Sequence, residues 1–137
     1  MILVAGPRLA RERFPQQAGL EVRAYVHNLF EHLACADLAL VQGGLSTCME
    51  LVATRRPFLA FPLERHFEQG IYVPTRLRNY GAPDPVRYRD LSPEALADRA
   101  LEAMHRPVHY RPVESNGAAR AAEMIHGALT NRHWATR

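Results

Sequence analysis

The sequence contains no lysine; all 17 of its basic residues are arginine. They are scattered from Arg8 to Arg137 instead of gathered on one element, so a net charge of +3 is weak evidence for nucleic acid. No RNA-binding signature, zinc-finger spacing or basic helix accompanies them. The expectation is a solvated, arginine-rich surface of the kind a GC-rich genome encodes, with no nucleic-acid partner. Only two cysteines occur, Cys35 and Cys48, both in apolar helical patterns without metal-ligand spacing. They are expected to be small buried hydrophobes, with no metal site and no disulfide. No run of about 18 apolar residues is present, so no membrane span is expected, and the N-terminus lacks the charged, apolar, small-residue order of a signal peptide. The expected location is the cytoplasm. Internal repeats and low-complexity tracts are also lacking.

What the chain does have is enough apolar content, 47% of 137 residues, to build one packed domain over 1–137. Met1 to Ala5 is a short apolar run closed by Gly6 and Pro7, as a buried strand would be. Leu20 to Val26 alternates apolar and polar residues and reads as a second strand. Asn28 then stands where a cap would open a short helix carrying Leu29, Phe30, Leu33 and Ala34 on one face. Asp37 opens a third strand that runs into two glycines. An amphipathic helix follows, with Met49, Leu51, Val52 and Cys48 expected toward the sheet, and ends near Arg55 and Arg56. Pro57 and Pro62 bracket a fourth strand. Pro74 is expected to kink or delay the next helix. Ser92, Pro93 and Glu94 give a helix start, running through about Met104. A last helix, about Gly117 to Leu129, carries a stripe of Ala118, Ala121, Ala122, Ile125 and Leu129. Strands alternating with helices predict an α/β fold with a mainly parallel sheet.

In such sheets ligands bind at the carboxyl ends of the strands, and the stretch from Val41 to Leu51, VQGGLSTCMEL, is such a turn. Gly43 and Gly44 permit positive φ and close backbone approach. Leu45, Ser46 and Thr47 supply the unpaired N–H groups of a first helical turn, with its positive dipole end. Phosphate suits that bend. Glu50, one turn further, would repel phosphate but suits a pair of ribose hydroxyls, at about 1.5–3 kcal/mol for each charge-assisted hydrogen bond. The residues alone leave a second reading open, in which Ser46 caps the helix and the glycines only shape the turn.

The order of motifs from Ala36 to Gln69 resembles the donor-binding half of GT-B glycosyltransferases, and most closely the family 28 C-terminal domain. An alanine-aspartate pair, Ala36 and Asp37, opens a strand; GG-x-ST-x-x-E follows from Gly43 to Glu50; Pro57 and Pro62 flank the next strand; and Glu68 with Gln69 stand downstream. The upstream strands fit as well, so the resemblance covers nearly the whole chain. It implies a Rossmann-like, mainly parallel sheet flanked by helices, the C-terminal half of a GT-B fold beginning after its first strand and glycine-rich loop.

The resemblance further implies a donor diphosphate held by Gln42, Gly43, Gly44, Leu45, Ser46 and Thr47, a ribose on Glu50, and a donor sugar on Glu68 and Gln69. The base would lie near Tyr25 to His27. Catalytic residues remain unassigned, because the acceptor and the usual general base belong to the other half. No D-x-D motif appears, so neither metal nor other cofactor is implied beyond the nucleoside diphosphate sugar, UDP- or TDP-linked, whose hexosyl group passes to an acceptor hydroxyl. Three positions depart from the pattern: Gln42 replaces a common histidine, Arg55 and Arg56 a glycine region, and Tyr72 an asparagine near the sugar. The expected partners are an acceptor-binding N-terminal half or partner chain, or a second copy of this chain. Two other functions share the fold: a non-catalytic nucleotide- or partner-binding module, and part of a sugar-nucleotide epimerase.

Overall fold

A computed structural model describes residues 1–130; the last seven residues of the expected domain lie outside the described residues. Strand β1 (Ile2–Val4) pairs in parallel with β2 (Glu21–Arg23), and β3 (Ala39–Gln42) pairs in parallel with β4 (Phe58–Phe61). Among the described residues five α-helices accompany them: α1 (Leu29–Cys35), α2 (Leu45–Ala53), α3 (Val73–Asn79), α4 (Pro93–His105) and α5 (Gly117–Thr130). The α/β class and the parallel pairing follow the sequence pattern. The division into two pairs, with no ladder joining β1 to β3, is not visible in that pattern.

The core forms where α2 and α3 cover the second pair. Cys48, Leu51 and Val52 of α2 meet Phe58 of β4 and Val73 and Leu77 of α3, all essentially inaccessible. Tyr110 packs edge-on against Phe58, with ring centroids 6.0 Å apart. Burial pushes the Cys48 thiol up to about 11, because a thiolate there would lose its hydration. α2 ends where the Thr54 hydroxyl donates to the Glu50 carbonyl at 2.8 Å, and Arg55 turns the chain with φ at 54°. At α4, the Ser92 hydroxyl accepts the Ala95 N–H at 3.2 Å, the cap that the sequence implied.

Before α3 the chain makes a wide helical turn, Glu68–Tyr72, in which the Val73 N–H reaches five residues back to the Glu68 carbonyl. Pro74 explains its position. Proline has no N–H to give, and its ring crowds the carbonyl four residues earlier. Regular α-helix therefore starts only at Val73, with Pro74 in its first turn, which is the expected delay.

Four expectations need correction. Asn28 does not cap α1: its φ is 52°, and its side-chain amide donates to Glu31 at 3.2 Å instead of accepting a backbone N–H. Of the apolar residues assigned to that helix's face only Leu33 is buried; Leu29 and Phe30 are exposed, since seven residues offer one contact row. Cys35 is exposed at the end of the same helix. The stripe on α5 forms at helical spacing but covers nothing, with no buried residue on that helix and Ile125 and Leu129 open to solvent.

Replacing Leu51 by alanine should lower the unfolding free energy by about 2–5 kcal/mol, whereas Leu129→Ala should stay within about 0.5 kcal/mol. Urea denaturation of both variants checks the contrast, and equal losses would place α5 in the core. Titration with a disulfide reagent at pH 8 should modify Cys35 at once and Cys48 only on unfolding.

Candidate functional site

The parallel register Ala39↔Phe58 through Gln42↔Phe61 brings the carboxyl ends of β3 and β4 level with each other. Just past that point the Gly43 N–H donates to the Phe61 carbonyl at 3.0 Å. A β-carbon on Gly43 would lie 3.1 Å from Pro62 Cα, tight enough that the Pro62 backbone would have to give by a few tenths of an ångström. Packing thus favours glycine at this position. Neither glycine uses the positive φ open to it: neither is among the positive-φ residues, and Gly44 sits at φ −73°, ψ 135°, an ordinary extended N-cap conformation.

The backbone accounting at the turn separates engaged groups from free ones. Besides the Gly43 bond, the Gly44 N–H donates to the Gln42 carbonyl at 2.7 Å. The first bond of α2 runs from the Cys48 N–H to the Gly44 carbonyl at 3.1 Å. That leaves the N–H groups of Leu45, Ser46 and Thr47 ahead of the helical ladder. No side chain caps them, which removes the reading of Ser46 as N-cap. A β-carbon built on Gly44 meets no atom within 4 Å, so there is room for an N-cap side chain that the sequence does not supply. The first turn holds no acid, and its dipole contributes about 0.3–1 kcal/mol toward an anion.

Around this turn, Gln42 and Ser46 are exposed and Thr47 and Glu50 half-buried. Among the described residues, no side-chain hydrogen bond or ion pair engages the Ser46 or Thr47 hydroxyls or the Glu50 carboxylate. Their spacing of three and four residues puts Thr47 and Ser46 on the same side of α2 as Glu50.

The downstream loop is tied to the turn through Pro62. The buried Gln69 accepts the Leu63 N–H with its side-chain oxygen at 2.8 Å, closing the loop after β4. Its amide nitrogen remains the part able to meet a ligand. Glu68, its neighbour, is exposed. The loop is braced by an ion pair between Glu64 and Arg89, which holds the Glu64 carboxyl below the usual range, and by an edge-on contact of Phe67 with Tyr72, 5.4 Å between centroids. Sequence reading missed Pro62 as the wall behind Gly43 and Gln69 as a loop fastener; the only available signal was the Pro62-to-Gln69 spacing. Tyr25 and His27 are exposed and Val26 is buried between them. Among the described residues no cluster of three metal-ligating side chains occurs.

A cavity of about 520 Å³ opens elsewhere, at the amino end of β4, between Phe58, Tyr110, Arg99 and Glu102 of α4, and Arg106 just past that helix. Its volume does not make it the candidate. Helix N–H groups, a glycine turn and strand carboxyl ends converge at Gly43, whereas the cavity, although Gly81 lines it, lies at the opposite end of β4.

A parallel strand-turn-helix-strand unit flanked by helices defines the α/β, Rossmann-like class. More narrowly, the glycosyltransferase family 28 C-terminal domain matches residues 3–126, and the chain belongs to that family. A protein of Methanosarcina acetivorans named as an uncharacterized glycosyltransferase is 37% identical over 67 residues, 48% of this chain and 17% of that protein. A second, from Methanosarcina mazei and similarly named, is 34% identical over 67 residues, 48% of this chain and 18% of its own length. The chain thus matches a minor part of each relative. No helix of the described residues is long and apolar enough to cross a membrane.

Gly43→Ala should cost about 1–3 kcal/mol, because the neighbour that must yield is the Pro62 backbone. Thermal unfolding of the variant checks this; an unchanged midpoint would show that the two strand ends are not held together there.

Proposed function

We propose that this chain is the donor-binding part of a glycosyltransferase that moves a hexosyl group from a UDP- or TDP-linked sugar to an acceptor hydroxyl. The observation that carries the reading is the uncapped first turn of α2: three N–H donors stand ahead of the helical ladder without a protein partner, at the end of a parallel strand. In this reading the amides of Leu45, Ser46 and Thr47 and the two hydroxyls bind the donor diphosphate, beside Gln42. Gly43 and Gly44 contribute space, since their own N–H groups are engaged. Glu50 takes the ribose hydroxyls. Glu68 and the Gln69 amide meet the sugar.

The chemistry follows from charge. The acceptor oxygen forms a bond to the anomeric carbon as the bond from that carbon to the diphosphate oxygen breaks. The acceptor proton passes to a base outside this chain. Negative charge grows on the departing diphosphate, and fixed amides aimed at it stabilise that charge without reorganising. The membership in family 28 and the relatives' names support this reading.

Calorimetric titration with UDP, TDP, GDP and inorganic phosphate tests it, with saturable binding of one nucleoside diphosphate expected. Glu50→Ala should weaken that binding about 10- to 100-fold, the equivalent of about 1.5–3 kcal/mol, and leave phosphate binding unchanged. Equal loss for both ligands would reject the ribose role. Gly44→Ser should keep or slightly raise stability, since serine is at least as good an N-cap as glycine, while its hydroxyl fills the open space and consumes a donor. Diphosphate affinity should fall at least tenfold; undiminished affinity in that variant would overturn the assignment of the turn.

A further inference from the structure

A helix lying over a sheet ordinarily fills the space beneath it with large apolar side chains. α4 packs against β4 without doing so: it has no buried residue, and toward the start of that strand it turns Arg99, Glu102 and the small Ala103, with Arg106 just past its end. What lies beneath is the cavity of about 520 Å³, a volume in the range of small-molecule sites.

The walls of this cavity are tied in place by backbone. The Val86 N–H donates to the Ala60 carbonyl at 2.8 Å, which fixes the segment after α3 beside β4. The Arg111 N–H donates to the Tyr80 carbonyl at 2.8 Å and its guanidinium to the Asn79 carbonyl at 3.1 Å, which fixes the connector after α4. Pro57, Pro83 and Pro107 stand in the lining and have no N–H to offer. Over Phe58, Val86 and Val108 the surface is apolar.

Polar groups are few there, and they lack partners. Tyr110 is only 9% exposed, with its ring edge-on to Phe58, yet among the described residues its hydroxyl makes no hydrogen bond. A phenol buried to that degree normally has one. Burial pushes it up to about 12, while the Arg106 guanidinium draws it down, so that charge acts at the phenol. Among the described residues neither Arg99 nor Arg106 joins an ion pair, although Glu102 stands four residues before Arg106. Asp84, the other acid in the lining, is held by Arg78 at 2.8 Å.

We propose that this cavity is a second ligand site, for a small organic acid whose carboxylate meets the Arg106 guanidinium and the Tyr110 hydroxyl and whose apolar body lies against Phe58, Val86 and Val108. A carboxylate presents two oxygens, one for the guanidinium and one for a single hydroxyl donor, which matches this pair. A phosphate needs more donors than walls built on three prolines supply. Arg99, about 10 Å from Arg106 along the helix, adds attraction at longer range. The carbonyl end of α4 acts against an anion, but only within its last turn, and two guanidinium charges outweigh it. The site lies at the opposite end of β4 from the turn at Gly43, so neither reading depends on the other.

The test is an NMR titration of the full chain, read at backbone amides, with octanoate, phenylbutyrate and indoleacetate, each beside its neutral primary amide, and with acetate. At least one of the three larger acids should saturate below about 10 mM, shifting Phe58, Ala103, Val108 and Tyr110 and leaving Leu45, Ser46 and Thr47 in place. Its amide, and acetate, should bind at least about tenfold more weakly. Arg106→Gln should weaken the acid by about tenfold and leave the amide unchanged, a split that lost packing would not produce. Tyr110→Phe keeps the ring against Phe58 and should also weaken the acid. Ala103→Leu, acceptable to the helix, should fill the space and abolish binding of acid and amide alike. No saturation by any of the three acids, equal binding of acid and amide, indifference to Arg106→Gln or Tyr110→Phe, or shifts confined to the start of α2 would overturn the proposal.

Discussion

The contact of Gly43 with Pro62 fixes the geometry on which the rest of the turn depends. With no side chain between them, the ends of β3 and β4 lie side by side, and the Gly43 N–H can reach the Phe61 carbonyl. That places the start of α2 and the loop from Pro62 to Gln69 on the same edge of the sheet. A strand-to-helix turn and a strand-to-helix loop, far apart in sequence, thereby share one opening. The burial of Cys48, Leu51 and Val52 against Phe58 then locks the axis of α2, so its amino end cannot swing away from that opening.

The turn divides its backbone donors between structure and solvent. Two glycine N–H groups are consumed in holding the bend, and the next three are left without a protein partner. A side-chain cap would have satisfied one of them at a gain of about 1 kcal/mol. Glycine at the N-cap forgoes that gain and leaves space where a capping oxygen would stand. In the proposed reading Glu50 is a counterweight: one helical turn deeper, its charge would disfavour bare phosphate and favour a ligand that presents hydroxyls next to its phosphates.

Much of this architecture could be read from the chain. The strands bounded by Gly6 and by Pro57 with Pro62, the helix after Gly44 and the Ser92 cap rest on local rules, and local rules operated. The family resemblance also came from local spacing, Gly43 to Glu50 and Glu68 to Gln69. What remained hidden was set by distant groups. Gly43 reads as a position open to positive φ and close ligand approach until Pro62 is known to lie against it. The structural role of Gln69 is hidden until its oxygen is seen closing onto Leu63. Asn28 has the composition of a cap but a left-handed backbone, and the stripe on α5 has the periodicity of a packed helix without a packing partner. Periodicity reports which residues share a face and cannot report what that face meets.

The wide turn at Glu68–Tyr72 carries one residue more than a regular α-helical turn would hold. Each α-helical residue advances the chain by about 100° around the axis, following from 3.6 residues per turn. Deleting a single residue here would therefore rotate Val73 and Leu77 relative to Gln69, taking either the core pair or the loop fastener out of position. The turn acts as a phase adjuster between two otherwise incompatible helical registers. Homologous sequences aligned across this point should differ in length only where the residue preceding the buried glutamine or the proline after it has changed as well.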